Sequence, residues 1–245
     1  MSGARLGRYA LYQLRDYLMG KVIGFLVLSL MLGWITAGIL AGTRGPLWKT
    51  TPDAARGAFG AVASQASLLL WVGLILSAAA IVANDRTTGG FRFMFAKPVG
   101  IARYYGQLWL LHGAAFVTSV GLLIALWSVT VIPISAWPFM AWAALLWVLW
   151  GSVIFFFSTI VNLDWLCAAL LLIVASFVQG QLDHDGFWYT VLTPILPPVA
   201  HYDAVQAALL RRTEIPMGDL AWVVGYGALF LVAGLLVLRR RPMGA

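Results

Sequence analysis

The chain has 245 residues, of which 62% are hydrophobic and 10% charged, whereas a soluble globular domain carries about 25% charged residues. This composition excludes an ordinary soluble domain and indicates one polytopic membrane domain, with no residues left over for a soluble catalytic domain. A net charge of +7 also suits a nucleic-acid-binding protein. Here, however, the basic residues gather beside apolar runs, which is the pattern of membrane orientation and predicts contact with lipids, not nucleic acid.

The first element along the chain is an amphipathic segment, RLGRYALYQLRDYL at residues 5–18. Its apolar and tyrosine residues share one side of a helix and its arginines gather away from that side, which predicts a helix lying in the membrane surface. The alternative is the charged flank of a signal anchor. A cleaved signal peptide is disfavoured because the apolar run that follows is too long and lacks an Ala-x-Ala cleavage site.

Six apolar runs predict an all-α membrane protein with six transmembrane helices, since about 20 apolar residues cross a bilayer as a helix. The predicted spans are 22–41, 63–83, 107–132, 139–161, 165–182 and 219–238. An even number of spans places both termini on one side. The positive-inside rule makes that side cytoplasmic, because the termini and the links on their side carry eleven of the sixteen Lys and Arg residues. The expected location is the bacterial cytoplasmic (inner) membrane.

The connector between the second and third spans, NDRTTGGFRFMFAKPVGIARYY at 84–105, is charged and compact. Within it, Phe91, Met94 and Phe95 have the spacing that puts three side chains on one face of a short helix. Gly89 and Gly90 free the start of that helix, and a proline that follows stops it. A cytoplasmic connector needs no exposed aromatic face unless a partner docks there, so the pattern predicts a docking helix.

The last predicted loop, about 183–218, is the most structured of the loops. Three prolines interrupt the apolar stretch TVLTPILPPVA, and HYDAVQAALLRR then predicts a short helix. Irregular backbone at membrane depth must be buried in protein or line a wet cavity. The segment therefore either caps the outer face of the protein or re-enters the membrane from outside.

In their order along the chain, these features resemble the permease subunits of type-2 ABC transporters, the exporter-type family. Members have an interfacial N-terminal helix, six spans, a cytoplasmic coupling helix between the second and third spans, and re-entrant short helices before the last span. The local pattern of the family matches Asp85, Gly89, Phe91 to Phe95, Pro98–Val99 and Arg103–Tyr104. Many members have Glu at the position of Asp85, and a Leu-Leu-Ser run in place of Met94, Phe95 and Ala96.

The resemblance implies a permease homodimer or heterodimer above two ATPase subunits, with export by alternating access. The chain has no Gly-x-x-x-x-Gly-Lys-Ser/Thr phosphate loop, so we expect no cofactor here and ATP with Mg in the partner ATPase. The chain itself is then not an enzyme. The residues that the resemblance assigns to the ATPase contact are Asp85, Arg86, Phe91, Met94, Phe95 and Lys97.

Three other functions remain open. An intramembrane enzyme needs a nucleophile–base pair or a metal set, and Asp183, His184, Asp185 and His201 have metal-capable chemistry at a spacing that matches no known pattern. A secondary transporter usually has carboxylates within its spans, whereas the middles of these spans have none. A non-transporting ABC membrane subunit would transmit force or assemble other proteins.

The substrate is the least determined feature. Four aromatic residues fall deep within the predicted spans and would suit a pathway for an apolar or amphipathic molecule: Trp71, Trp147, Trp150 and Phe156. The alternative is that these side chains face lipid or pack between helices.

Overall fold

The computed structural model describes residues 52–79, 81–82, 100–130, 134–181 and 187–240, with five single helical positions of the first predicted span. For 52–59, 61–62, 130 and 189–190 it describes the backbone alone. The predicted interfacial helix at 5–18 and the predicted docking helix at 91–97 lie outside the described residues.

The described residues form helices joined by short links and contain no β-strand, which confirms the all-α class. A five-residue π-helical turn (Trp147–Gly151) joins the helices Trp137–Leu146 and Ser152–Ser158, so these three pieces form one continuous helix. In chain order the helices are α1 (Pro52–Ala78), α2 (Ile101–Thr130), α3 (Trp137–Leu146), α4 (Ser152–Ser158), α5 (Asp164–Gln181), α6 (Phe187–Leu192), α7 (Val199–Arg211) and α8 (Met217–Arg240).

Among the described residues, four helices are long and apolar enough to cross a membrane: Ile101–Val129, Trp137–Ser158, Asp164–Gln181 and Met217–Arg240. They coincide with the last four predicted spans. The largest difference is at the start of α2, which begins at Ile101 where the sequence predicts residue 107. Tyr104 and Tyr105 in this extra turn are buried, so helical packing continues past the point where the hydrophobic run fades.

Helix α1 starts earlier than the second predicted span and has a shorter apolar part. It begins at Pro52, whereas its apolar stretch is confined to Ala63–Ala78. Proline is favoured in the first turn of a helix, where its missing N–H has no intrahelical partner in any case. The alanine-rich sequence after Asp53 then favours helix over loop.

The four membrane helices differ in how much of their surface the protein itself covers. In the most apolar stretch of Trp137–Ser158, 72% of the residues are buried, against 22% in α5 and in α8. Helix α5 exposes Leu170, Ile173 and Phe177. An apolar helix that is exposed in this way is stable only when lipid or another protein covers it.

The chain divides into two compact units. The first joins the residues up to Ser77 with Ala114–Ala143, and the second joins Ala78–Gly113 with Ala144–Ala245. In the second unit, α4 packs on α5 and α8, the π-turn packs on α8, and α7 packs on α8 and α5. The site described below lies wholly within this second unit.

Candidate functional site

The π-helical turn Trp147–Gly151 interrupts the α-helical hydrogen bonding of one of the described membrane helices. Its N–H groups bond to carbonyls five residues back instead of four, so the turn holds one residue more than an α-helical turn. Such turns inside α-helices are frequently found at functional sites. Four of its five residues are buried: Trp147, Leu149, Trp150 and Gly151. We therefore take this turn and its neighbours as the candidate site.

The indole of Trp147 fills a notch between two glycines, Gly113 on α2 and Gly151 on its own turn. A methyl group built on Gly113 would overlap the indole nitrogen and lie 2.6 Å from Cδ1. A methyl group on Gly151 would lie 3.0 Å from Cδ2. Trp109 closes one side, with its ring centroid 5.8 Å from that of Trp147. We call Gly113, Trp147 and Gly151 the tryptophan notch.

Helix α8 approaches the same turn through glycines. A methyl group on Gly227 would overlap the carbonyl oxygen of Val148 and lie 2.8 Å from the carbonyl carbon. Seven residues later, a methyl group on Gly234 would lie 3.0 Å from the Phe155 ring. Seven residues are close to two helical turns, so both glycines share one face of α8. Small residues at such positions allow the backbones of membrane helices to approach closely.

The hydroxyl of Ser152, directly after the turn, is buried and has no hydrogen-bond partner among the described residues. Helical Ser and Thr hydroxyls commonly bond to the carbonyl four residues back. In α2, Ser119 does so with Ala115 at 2.7 Å. For Ser152 the corresponding carbonyl is that of Val148, which faces Gly227 instead. The indole N–H of Trp109 is likewise buried without a hydrogen-bond partner in the described part of the chain.

The four residues predicted to line a pathway take different positions. Trp147 and Trp150 are buried in the π-turn. Phe156 is partly buried and packs edge-on against Phe230 of α8, with ring centroids 5.2 Å apart. Trp71, on α1, belongs to the other compact unit. Trp147 and Phe156 make contacts of helix packing, and the role of all four residues in a pathway stays a prediction.

A polar cluster joins the irregular segment before α7 to α5 and α8. Gln179, at the end of α5, is buried, donates to the Pro197 carbonyl at 2.7 Å and accepts from the Ala200 N–H at 3.0 Å. The Tyr226 hydroxyl of α8 donates to the Ile195 carbonyl at 3.1 Å. These bonds satisfy backbone groups of the irregular segment and of the first turn of α7, which have no intrahelical partners.

The predicted short helix after the prolines is confirmed as α7, and a second polar contact ties it to α8. His201 Nδ1 lies 2.7 Å from Asp219 Oδ1, and the His201 ring stacks on Trp222. Partial burial raises the pKa of the Asp203 carboxyl, also on α7, above its ordinary value. The other predicted metal-capable residues, at 183–185, lie outside the described residues. Within the described ranges, no three His, Cys, Asp or Glu side chains could together hold a metal ion.

The predicted ATPase-contact residues, 85–97, also lie outside the described residues. The chain on both sides of them is described: Ile81 and Val82 are buried before them, and α2 begins after them. The first turn of α2 is fixed by the Tyr104 N–H, which donates to the Gly100 carbonyl at 3.0 Å.

No protein-family model matches the sequence, and no curated protein matches it.

Proposed function

We propose that this chain is the membrane-spanning permease subunit of an ATP-driven ABC exporter. It works as a homodimer or heterodimer with a separate ATPase subunit that binds ATP and Mg. The observation that carries the proposal is the sequence of the connector at 84–105, a short basic segment between two apolar runs. In it, the helical spacing of Phe91, Met94 and Phe95 predicts an aromatic face. In this proposal the face formed by Phe91, Met94 and Phe95 docks in a cleft of the ATPase.

The charges of the membrane helices support a machine that takes its energy from outside the bilayer. In the four described spans, Asp, Glu, Lys and Arg occur only within three residues of an end: Arg103, Asp164, Asp219, Arg239 and Arg240. Ion-coupled transporters usually carry ionisable residues deeper in the membrane, where a buried charge is costly and therefore functional. This distribution favours an ATP-driven exporter over a secondary transporter.

The proposed topology has six spans in the bacterial inner membrane, with both termini and the connector in the cytoplasm. The distribution of basic residues supports it. Its consequence is that the aromatic face of the connector meets the compartment that contains ATP. The proposed substrate is apolar or amphipathic, in keeping with the aromatic side chains of the spans.

The experiment compares two charge substitutions in the connector, Phe95→Asp and Phe93→Asp. Both replace a phenylalanine by an aspartate, but Phe93 lies on the opposite side of the predicted helix. We expect Phe95→Asp to weaken ATPase binding by about 2 kcal/mol or more, roughly thirtyfold, because a desolvated contact loses an aromatic anchor and gains an unpaired charge. Both variants should accumulate in the membrane, because the connector lies outside the spans.

The measurement uses tagged full-length protein expressed in its native host and solubilised in mild detergent. An ATPase with a phosphate loop, identified by mass spectrometry, should co-purify with the wild type and with Phe93→Asp but not with Phe95→Asp. Equal recovery of that ATPase with both variants would refute the docking face. A wild-type complex without any such ATPase would refute the exporter.

A further inference from the structure

We propose that the π-helical turn at Trp147–Gly151 is a two-state switch within the membrane helix. In the described state the Trp147 indole fills the tryptophan notch. In the second state the turn is α-helical, the extra residue is absorbed elsewhere along the helix, and the indole leaves the notch. The switch is a property of the membrane protein itself, so it holds whether or not the partner is an ATPase.

The first support is the hydroxyl of Ser152, which in the described state is buried without a hydrogen-bond partner in the described part of the chain. A buried polar group without a hydrogen bond is costly, and it becomes satisfied if the chain has another arrangement that supplies an acceptor. An α-helical turn supplies one, because it places the Val148 carbonyl four residues before Ser152 in the usual geometry of helical serines. The second state thus gains a bond that the described state lacks.

The second support is the close packing of the π-turn against two glycines in the described state. The indole of Trp147 fits only because Gly113 has no side chain, and the Val148 carbonyl fits only because Gly227 has none. These contacts stabilise the π-turn through tight packing, while the missing bond at Ser152 works against it. A two-state element requires opposing free-energy contributions that leave two packings close in free energy.

The geometric consequence is large for so small a change. Each residue of an α-helix rotates the chain by about 100° about the helix axis. Moving the extra residue out of the π-turn therefore rotates the side chains on one side of the turn by that angle about the helix axis. Trp147 is the bulkiest residue affected. A ligand or partner that prefers one orientation would shift the balance between the states.

The test observes Trp147 by ¹⁹F NMR in the full-length protein, labelled with 5-fluorotryptophan and held in lipid nanodiscs. The chain has twelve tryptophans, and the resonance of Trp147 is the one that Trp147→Phe removes. We expect a second, exchanging position for this resonance. A minor state populated at about 0.1–10% that exchanges in microseconds to milliseconds is accessible to saturation-transfer and relaxation-dispersion measurements.

Two substitutions should move the populations in opposite directions. Gly113→Ala overlaps the indole in the notch, so the second position should gain about tenfold or more over the first, as overpacking of a tight site produces. Ser152→Ala removes the unsatisfied hydroxyl of the described state and the new bond of the second state, so it should lower the second position. Each change is measured as a ratio of peak populations.

Each variant has a matched control. Gly106 lies two turns before Gly113 on the same face of α2, and a methyl group there would meet only Leu235, at 3.8 Å. The Ser158 hydroxyl already donates to the Phe155 carbonyl at 2.8 Å. Gly106→Ala and Ser158→Ala should therefore leave the Trp147 populations unchanged.

A single Trp147 resonance in the wild type, with no exchange partner, would overturn the switch. A minor resonance whose population Ser152→Ala leaves unchanged would also overturn it. The same holds if the Trp147 resonance of Gly113→Ala lies at a position that the wild type never shows. If Gly113→Ala fails to fold, the wild type and Ser152→Ala still decide, because the second position must exist in one and decrease in the other.

Discussion

Replacement of Gly227 by alanine should separate α8 from the π-turn, and the structure allows a matched comparison two residues away. A methyl group on Gly227 would overlap the Val148 carbonyl oxygen and lie 3.1 Å from the Val148 side chain. A methyl group on Gly225 would meet nothing within 4 Å. The two substitutions therefore add the same group to the same helix, once against a backbone and once into open space.

The expected magnitudes have opposite signs. At Gly225, alanine should stabilise α8 by up to about 1 kcal/mol, the difference in helix propensity between the two residues. At Gly227 the obstacle is a backbone carbonyl, which cannot rotate away as a side chain can, so α8 must move outward. Favourable carbon contacts lie at about 3.5–4.0 Å, and overpacking of a tight site costs about 1–3 kcal/mol. Gly227→Ala should therefore be destabilising despite its better propensity.

The assay is thermal unfolding of both variants in the same detergent, followed by the loss of the monodisperse peak in size-exclusion chromatography. We expect the apparent Tm of Gly225→Ala to equal or exceed that of the wild type, and that of Gly227→Ala to fall below it. Equal stability of the two variants would mean that α8 does not pack against the π-turn at this distance, and the described site would be wrong.

Two further predictions concern the polar cluster and α7. Gln179→Leu should lower the apparent Tm, because two buried hydrogen bonds are lost, at a cost of about 1–3 kcal/mol for each backbone group left unsatisfied. Gln181→Leu, at an exposed position, should leave the apparent Tm unchanged. Equal effects of the two substitutions would contradict the bridging role of Gln179. The pKa of the Asp203 carboxyl is raised in the folded protein. The protonated carboxyl therefore contributes stability below the ordinary pKa, and this contribution is lost as the pH rises through the folded-state pKa. Asp203→Asn should therefore raise the apparent Tm at pH 7 relative to wild type and not at about pH 3. A gain in Tm that persists at acid pH would contradict the titration.

The positions of the last four spans could be predicted from the sequence, because a helix that crosses a membrane requires a long apolar run, and such runs can be seen in the sequence. Helix α5 begins at Asp164 and ends at Gln181, within one residue of the prediction at each end. Both ends carry polar residues, which end the apolar run. Helix α1 was harder, because its first eleven residues, PDAARGAFGAV, include two charged residues and no long apolar run. The helix propensity of the alanines favours this part of the helix, and an apolar-run criterion does not detect it.

The π-turn could not be predicted, because Gly151 weakens a helix locally without specifying the extra residue of a π-turn. No proline marks it, and the flanking residues keep ordinary helical backbone angles. The extra residue is accommodated by partners that are distant in sequence: Gly113 leaves room for the indole, and Gly227 leaves room for a carbonyl. The seven-residue spacing of Gly106 and Gly113, and of Gly227 and Gly234, was the one signal available. It becomes interpretable only when the neighbouring helix is known.

The deep aromatic residues show the limit of reading function from composition. Trp147 and Phe156 have the same apolar character in the sequence, and both were predicted to line a pathway. In the structure Trp147 is 3% exposed and locked between glycines, whereas Phe156 packs edge-on in a less buried position. A side chain held as tightly as Trp147 can take part in transport only if the helix around it changes. A substrate role for this residue therefore requires a second state of the π-turn, whereas a second state alone would not establish a substrate role.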